Sequence, residues 1–254
     1  MPATPSFELD PDLLRGKVAV VTGASKGLGE GIAARFAELG IDVGLCARTE
    51  PKAPSGVRAL TGAVDVTDSD RLEAFAGAVE RQLGPIDLWV NNAGILGPVG
   101  PQRDHDPLDV AQALAVNIGG VMNGTRCFTH HGRTGPTGRR VLVNISSGAA
   151  TSIYQGWSVY GATKAAVDQF TRITAAEEPG VYCYSVAPGV VDTEMQTQIR
   201  RQQPEAFPAV ERFEQIHREG AWNSPAWVAE HLAGLLTGAL KPEAVVYRVP
   251  DEPR

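Results

Sequence analysis

Cysteine is scarce and unpaired in this chain: of 254 residues only Cys46, Cys127 and Cys183 carry a thiol. They are odd in number, far apart and free of any CxxC spacing. That argues against a disulfide framework and favours buried thiols in a reducing compartment. Positive charge is also in deficit, with 23 Lys and Arg against 29 Asp and Glu and a formal net charge of -6. A protein that works by neutralising nucleic-acid phosphates carries the opposite balance. No apolar run approaches the roughly 20 residues that span a bilayer. The segment from Met1 to Gly16 holds Asp10 and Asp12 and no basic stretch leading into an apolar one, so neither a signal peptide nor an anchor is expected. Internal repeats and low-complexity tracts are missing as well. What remains is a soluble, cytoplasmic protein with no nucleic-acid or membrane partner. Its 43% hydrophobic content supports a sizeable core, best accommodated as a single domain over residues 1–254.

Lys17 to Thr22 (KVAVVT) is a valine-rich run that breaks into glycines and then into Leu28, Ile32, Phe36 and Leu39. Those four share one face at helical spacing. Gly40 stands where a glycine commonly ends a helix, and Ile41 to Ala47 is strand-like again. The alternation continues through strands at Asp87–Val90, Arg140–Ile145 and Val181–Val186, with helices over Ser69–Leu83, Leu108–His130 and Tyr160–Glu178. Strands alternating with helices imply right-handed crossovers and a buried parallel sheet, so the fold class is α/β, doubly wound and Rossmann-like. The core unit covers residues 16–193. After Pro188 the alternation weakens; residues 195–225 are charged, helical in patches and without an evident strand, and are expected to form a mobile substrate lid beyond the carboxyl ends of the strands. Ala244–Val249 supplies a last strand. The glycine- and arginine-rich stretch His131–Arg140 is expected to be a solvated turn.

Thr22-Gly23-Ala24-Ser25-Lys26-Gly27-Leu28-Gly29 places glycines where a strand gives way to a helix. Such a turn brings backbone close to a pyrophosphate and aims amides and the helix dipole at it, although a turn without a ligand has the same look. The Gly-Lys-Ser/Thr ending of a P-loop is absent. At the end of the second strand, a carboxylate would meet the ribose hydroxyls of NAD. Here Ala47 and Arg48 stand instead. Arg48, aided by Lys26, suits the 2′-phosphate of NADP; a solvated loop arginine is the alternative. Asp65-Val66 and Asn91-Asn92-Ala93-Gly94 follow two further strands and suit an adenine pocket and a closely packed ribose.

Tyr160 and Lys164, four residues apart, share one helix face. An ammonium beside a phenol favours phenolate and makes the tyrosine a usable acid or base. Ser147, at the end of a valine-rich strand and 13 residues before Tyr160, is placed to hold a substrate oxygen. The Tyr–Lys spacing also occurs by chance in many helices. His130-His131 has no accompanying HExxH or second cluster, so no metal is expected.

The glycine turn, Asn91-Asn92-Ala93-Gly94, Ser147, Tyr160 and Lys164 together resemble the short-chain dehydrogenase/reductase family, from about Lys17 to Thr193 and again at the final strand. The resemblance implies a seven-stranded Rossmann-like fold and a catalytic tetrad of Asn117, Ser147, Tyr160 and Lys164. Tyr160 would protonate a carbonyl oxygen held by Ser147. Lys164 would bind the nicotinamide ribose and lower the tyrosine pKa, and Asn117 would hold a proton-relaying water. Pro188, Gly189, Val191 and Thr193 match the segment that holds the nicotinamide carboxamide. Oligomers, a homodimer or homotetramer, would form through the helices carrying Asn117 and Tyr160. Gly156-Trp157, Glu177-Glu178-Pro179 and Ala187 to Gln196 look like the sepiapterin reductase branch, including bacterial relatives that reduce benzil. That branch is NADPH-dependent. It holds its pterin with an aspartate in the last strand, where Tyr247 stands here. A bulky, largely apolar small-molecule ketone or α-diketone is therefore the expected substrate, with Tyr154, Trp157 and Met195 as pocket residues; core packing is the other reading of these three. A reductase of acyl thioesters or sugars stays open, as does a non-catalytic NADP sensor, for which a full tetrad has no chemical use.

Overall fold

A computed structural model describes residues 5–131 and 138–254. Residues 1–4 of the N-terminal segment and residues 132–137 of the glycine- and arginine-rich stretch lie outside the described residues. Seven parallel strands, β1 (Val18–Thr22), β2 (Asp42–Ala47), β3 (Ala59–Ala63), β4 (Leu88–Asn91), β5 (Val141–Ile145), β6 (Tyr182–Ala187) and β7 (Val246–Arg248), form one sheet in the order β3-β2-β1-β4-β5-β6-β7. The chain runs outward from β1 to β3 and returns to β4, so the order reverses between β1 and β4. In doubly wound sheets ligands bind at this point, beyond the carboxyl ends of the strands.

The central strands are buried end to end because helices cover both faces. Successive residues point to opposite sides of the sheet. Val21, Leu45, Val90 and Val143 meet Ile32 and Phe36 of α2 (Gly27–Glu38), after the short α1 (Pro11–Leu14). Val20, Trp89 and Leu142 meet Leu72, Phe75 and Val79 of α3 (Ser69–Leu83) on the other face. The expected helix over Leu108–His130 is present in three parts. These are α4 (Pro107–Leu114), a π turn at Ala115–Gly119 and α5 (Gly120–His130). Helix α6 (Ser158–Glu177), which carries Tyr160 and Lys164, follows. Residues 195–225 hold α8 (Val210–Arg218) and all of α7 (Glu194–Arg200) but its first residue, with α9 (Pro225–Thr237) closing the first face. Among the described residues no helix is long and apolar enough to cross a membrane.

The three cysteines are free and buried, and burial pushes each thiol up to about 12. Arg139 and Arg140, at the end of the expected solvated turn, are engaged rather than solvated. Arg139 lies 3.5 Å over the Tyr182 ring and donates to the Leu235 carbonyl at 2.8 Å, while Arg140 donates to the His131 carbonyl at 2.7 Å. His131 itself lies 2.9 Å from both Glu73 and Glu80.

A buried polar ladder fastens α6 to the middle of the sheet. Trp89 Nε1 donates to Asn91 Oδ1 at 2.7 Å, Asn91 Nδ2 to Asn144 Oδ1 at 2.8 Å, and Asn144 Nδ2 to Thr171 Oγ1 at 2.9 Å. Asn91 and Asn144 are register partners on β4 and β5. Replacing Asn144→Ala removes the bonds to Asn91 and Thr171 from a dry interior, at a cost of about 2 kcal/mol. Urea unfolding should show that loss as a lower midpoint with an unchanged slope; a midpoint equal to that of the native chain would refute it.

Candidate active site

The glycine turn lies directly on the strand that follows the switch point. Gly23 has φ +66°, and a Cβ there would stand 2.7 Å from the Ala93 Cα, so backbone meets backbone where a side chain has no room. Thr22 Oγ1 accepts from the amides of Asn92 and Ala93 at 3.0 and 3.1 Å. Asn92 Nδ2 returns a bond to the Thr22 carbonyl at 2.9 Å. The ends of β1 and β4 are thus tied into one ledge. Above it α2 begins at Lys26 with no side-chain cap, whereas Asp68, Asp106 and Ser224 cap α3, α4 and α9. The uncapped first-turn amides, with Ser25, Gly27, Leu28 and Gly29 around them, fit a pyrophosphate.

The other expected cofactor residues ring this ledge. Asp65 Oδ1 accepts from the Thr67 amide at 2.9 Å, which turns the chain into α3, and the Val66 carbonyl accepts from Asn123 Nδ2 at 2.9 Å. Arg48, at the end of β2, is exposed and makes no hydrogen bond or ion pair among the described residues. Lys26 differs from the expectation that it would assist Arg48, because its ammonium pairs with Glu194 and holds that carboxyl below its usual range. Across the groove, a Cβ on Gly27 would lie 3.3 Å from Thr193 Cγ2. The Pro188-Gly189-Val190-Val191 segment is held by Asn223. Its Nδ2 donates to the Pro188 carbonyl at 2.9 Å, and its amide donates to the Val190 carbonyl at 2.7 Å. Sequence reasoning missed Asn223, and no local pattern announces it.

Asn117 and Lys164 meet beside Gly94, and Tyr160, hydrogen-bonded to Ser147, has its ring centre 5.8 Å from the Lys164 ammonium. A Cβ on Gly94 would be 3.3 Å from Asn117 Oδ1 and 3.7 Å from Lys164 Nζ. Asn117 sits inside the π turn, fully buried; its Oδ1 accepts from the Ile95 amide and its Nδ2 donates to the Ile95 carbonyl, both at 2.8 Å. π turns inside α-helices are frequent at functional sites, and this one interrupts the helix expected over Leu108–His130. Nδ2 also reaches Thr163 Oγ1 at 3.2 Å, linking Asn117 to α6. Lys164 Nζ donates to the Ile145 carbonyl at 2.8 Å. Burial drives this ammonium down to about 8, against the opposing pull of Asp168 one turn on. Asp168 is itself buried and accepts from Ser185 Oγ at 2.6 Å. It too was missed, although its four-residue spacing from Lys164 could have revealed it.

Tyr160 is 8% exposed. Burial pushes its phenol up, and a hydrogen bond with Ser147 draws it partly back. The expected lowering by Lys164 is therefore not the dominant effect: the ammonium, 5.8 Å from the centre of the phenol ring, is bonded to a carbonyl and itself inclined to lose its proton.

The expected pocket residues form an aromatic roof. Trp157 stacks on Phe207 of the 195–225 segment at 4.4 Å and meets Tyr154 at 4.9 Å and Tyr160 at 5.5 Å. Met195 packs against the same cluster. Tyr154 accepts from Arg212 Nη1 at 3.1 Å. Gly156, at φ +90°, lies under the Ala206 carbonyl, where a Cβ would approach to 2.2 Å. A cavity of about 720 Å³ adjoins this roof, lined by Ala149, Tyr154, Trp157, Ala162 and Ala206 among others, and does not reach Ser147, Tyr160 or Lys164. Tyr247 lies away from this roof, packed on the core beside His231 at 6.3 Å.

The short chain dehydrogenase family model matches residues 17–204. A benzil reductase, (S)-benzoin forming, of Bacillus cereus is 32% identical over 250 residues, covering 92% of this chain and 100% of that protein. A sepiapterin reductase of Meriones unguiculatus is 32% identical over 238 residues, covering 86% and 90%. Among solved structures, the KRED1-Pglu enzyme superposes with a TM-score of 0.80 at 34% identity, covering 91% of this chain and 99% of that one.

The depressed ammonium has a thermodynamic signature. Lys164 binds its proton more weakly in the folded chain, at about 8, than at its ordinary 10.5, so between these values the unfolded chain holds more protons. Its burial penalty is full below pH 8 and is relieved as pH rises through that window. Urea titrations should show the native chain gaining stability relative to Lys164→Met from pH 8 to 10. A difference that stays constant with pH would contradict a buried, proton-shedding lysine.

Proposed function

The chain belongs to the short chain dehydrogenase family, and from that membership we propose that it is an NADPH-dependent carbonyl reductase acting on an aromatic ketone or vicinal diketone. The observation that carries the reading is the run of contacts from Asn117 and Lys164 beside Gly94 to Tyr160 and its partner Ser147, with Tyr160 packed into the aromatic roof. The fit to a dinucleotide rests on the Gly23 contact with Ala93 and on the free amides of α2. The choice of NADP(H) over NAD(H) rests on Arg48, exposed and unpaired among the described residues where an acidic side chain would serve a ribose diol.

The bound nicotinamide supplies the hydride. Ser147 holds the carbonyl oxygen, and Tyr160, kept protonated by burial, donates a proton to it. Lys164 binds the ribose of the cofactor and balances the phenolate that Tyr160 becomes. Asn117 connects this pair to solvent through a relay water. Pro188, Gly189, Val191 and Thr193 hold the carboxamide, and residues 195–225 act as the lid over the substrate. The relatives that reduce benzil and sepiapterin support the carbonyl class, and the Trp157 roof supports a flat aromatic substituent. Assembly as a homodimer or homotetramer would cover Leu114, Met122 and Ile173, which the helices flanking the site leave exposed. The three buried free thiols suit the cytoplasm.

Tyr160→Phe should lower turnover of benzil by about a thousandfold, followed as loss of reduced-nicotinamide absorbance, with NADPH affinity retained; a fully active variant would sink the mechanism. Arg48→Ala should weaken NADPH binding about tenfold and NADH binding hardly at all, measured by cofactor fluorescence titration. Equal losses for both cofactors would remove the argument for NADP.

A further inference from the structure

Trp157 is 5% exposed, and its indole nitrogen is fully buried with no hydrogen-bond acceptor among the described residues. The other buried indoles differ. Trp89 Nε1 donates to Asn91 at 2.7 Å and Trp227 Nε1 to the Pro250 carbonyl at 2.9 Å. An indole can only donate, so rotation or a change of protonation offers Trp157 no relief. Buried tryptophan N–H groups normally find a partner, and an orphan in a native interior calls for an explanation. Its surroundings supply none, since the rings packed on it are those of Tyr154, Phe207 and Phe213, with Tyr160 meeting it edge-on at 5.5 Å. Tyr160 is the residue that takes the reacting carbonyl oxygen in the function proposed above, and the present inference rests on that reading. The ring that carries the orphan donor therefore packs directly against the ring of Tyr160.

We propose that the Trp157 indole N–H donates a hydrogen bond to the second, non-reacting carbonyl oxygen of a vicinal diketone whose first oxygen is held by Ser147 and Tyr160. The two oxygens of such a substrate lie on adjacent carbons, so a donor beside Tyr160 reads the second while the phenol serves the first. The aromatic faces of Trp157 and Phe207 meet the flanking aryl group. Trp157 is thus a specificity-determining residue. It distinguishes a dicarbonyl from a simple ketone, because a donor left unmet by the simple ketone loses the bond that the diketone makes.

The test pairs a deletion on the enzyme with one on the substrate, using benzil and deoxybenzoin, in which a methylene replaces one carbonyl. With NADPH, Trp157→Phe should lower kcat/KM toward benzil by about tenfold more than it lowers kcat/KM toward deoxybenzoin. The Kd of benzoin, which keeps the second carbonyl, should weaken by a similar factor on the NADP-loaded enzyme. Equal losses toward both substrates would assign Trp157 a packing role and overturn the proposal, as would no loss toward either. Native enzyme that reduces deoxybenzoin but not benzil would overturn it and leave the carbonyl reductase reading standing; reduction of neither would sink both. Should Trp157→Phe fail to fold, the native chain decides the matter. It has four tryptophans, and benzoin added to the NADP-loaded, ¹⁵N-labelled protein should move one indole N–H resonance downfield. An unmoved set of indole signals would overturn the proposal.

Discussion

The hydroxyl of Thr22 holds two strand ends together that otherwise diverge. Where β1 and β4 part company at the switch point, this one side chain accepts from the amides of Asn92 and Ala93, and Asn92 bonds back to the Thr22 carbonyl. The ledge so formed fixes the distance between the glycine turn on one side and Gly94, with its neighbours Asn117 and Lys164, on the other. Ladder bonds between β1 and β4 stop at the strand ends, so these side-chain bonds carry the pairing on past them.

Away from the ledge, the chemistry depends on water exclusion. The sheet, the π turn and the aromatic roof enclose Tyr160 and Lys164 so completely that both charged forms are disfavoured, the phenolate by the raised phenol and the ammonium by the lowered lysine. The phenol is thereby kept protonated and available as an acid, while Asp168 opposes the loss of the ammonium proton and the Ile145 carbonyl accepts from Lys164 Nζ. The polar ladder through Asn91, Asn144 and Thr171 holds α6 steady against the sheet while this balance is struck.

How much of this was legible in the sequence follows from range. The glycine turn, the strand-end arginine and the Tyr160–Lys164 face are written within a few residues, and the strand–helix alternation gave the sheet and its order of layers. Strand β3 was not bounded, since Ala-Leu-Thr-Gly-Ala has weak strand character and lies half-buried at the sheet edge. The π turn was hidden because one extra residue disturbs helical periodicity without any composition signal. Asn223, the Lys26–Glu194 pair and the stacking of Arg139 on Tyr182 join residues far apart in the chain. Only the folded arrangement brings such partners together, and residue type alone does not name them.

The placement of the three cysteines has a consequence for durability. A thiol at about 12 is ionised to roughly one part in 10⁵ at neutral pH, and the thiolate is the form that attacks electrophiles. Cys46, Cys127 and Cys183 are at most 4% exposed, so a reactive carbonyl compound or a thiol-directed alkylating agent meets no exposed thiol among the described residues. Resistance to covalent poisoning is in this way a property of the core packing and does not require any protective residue at the site.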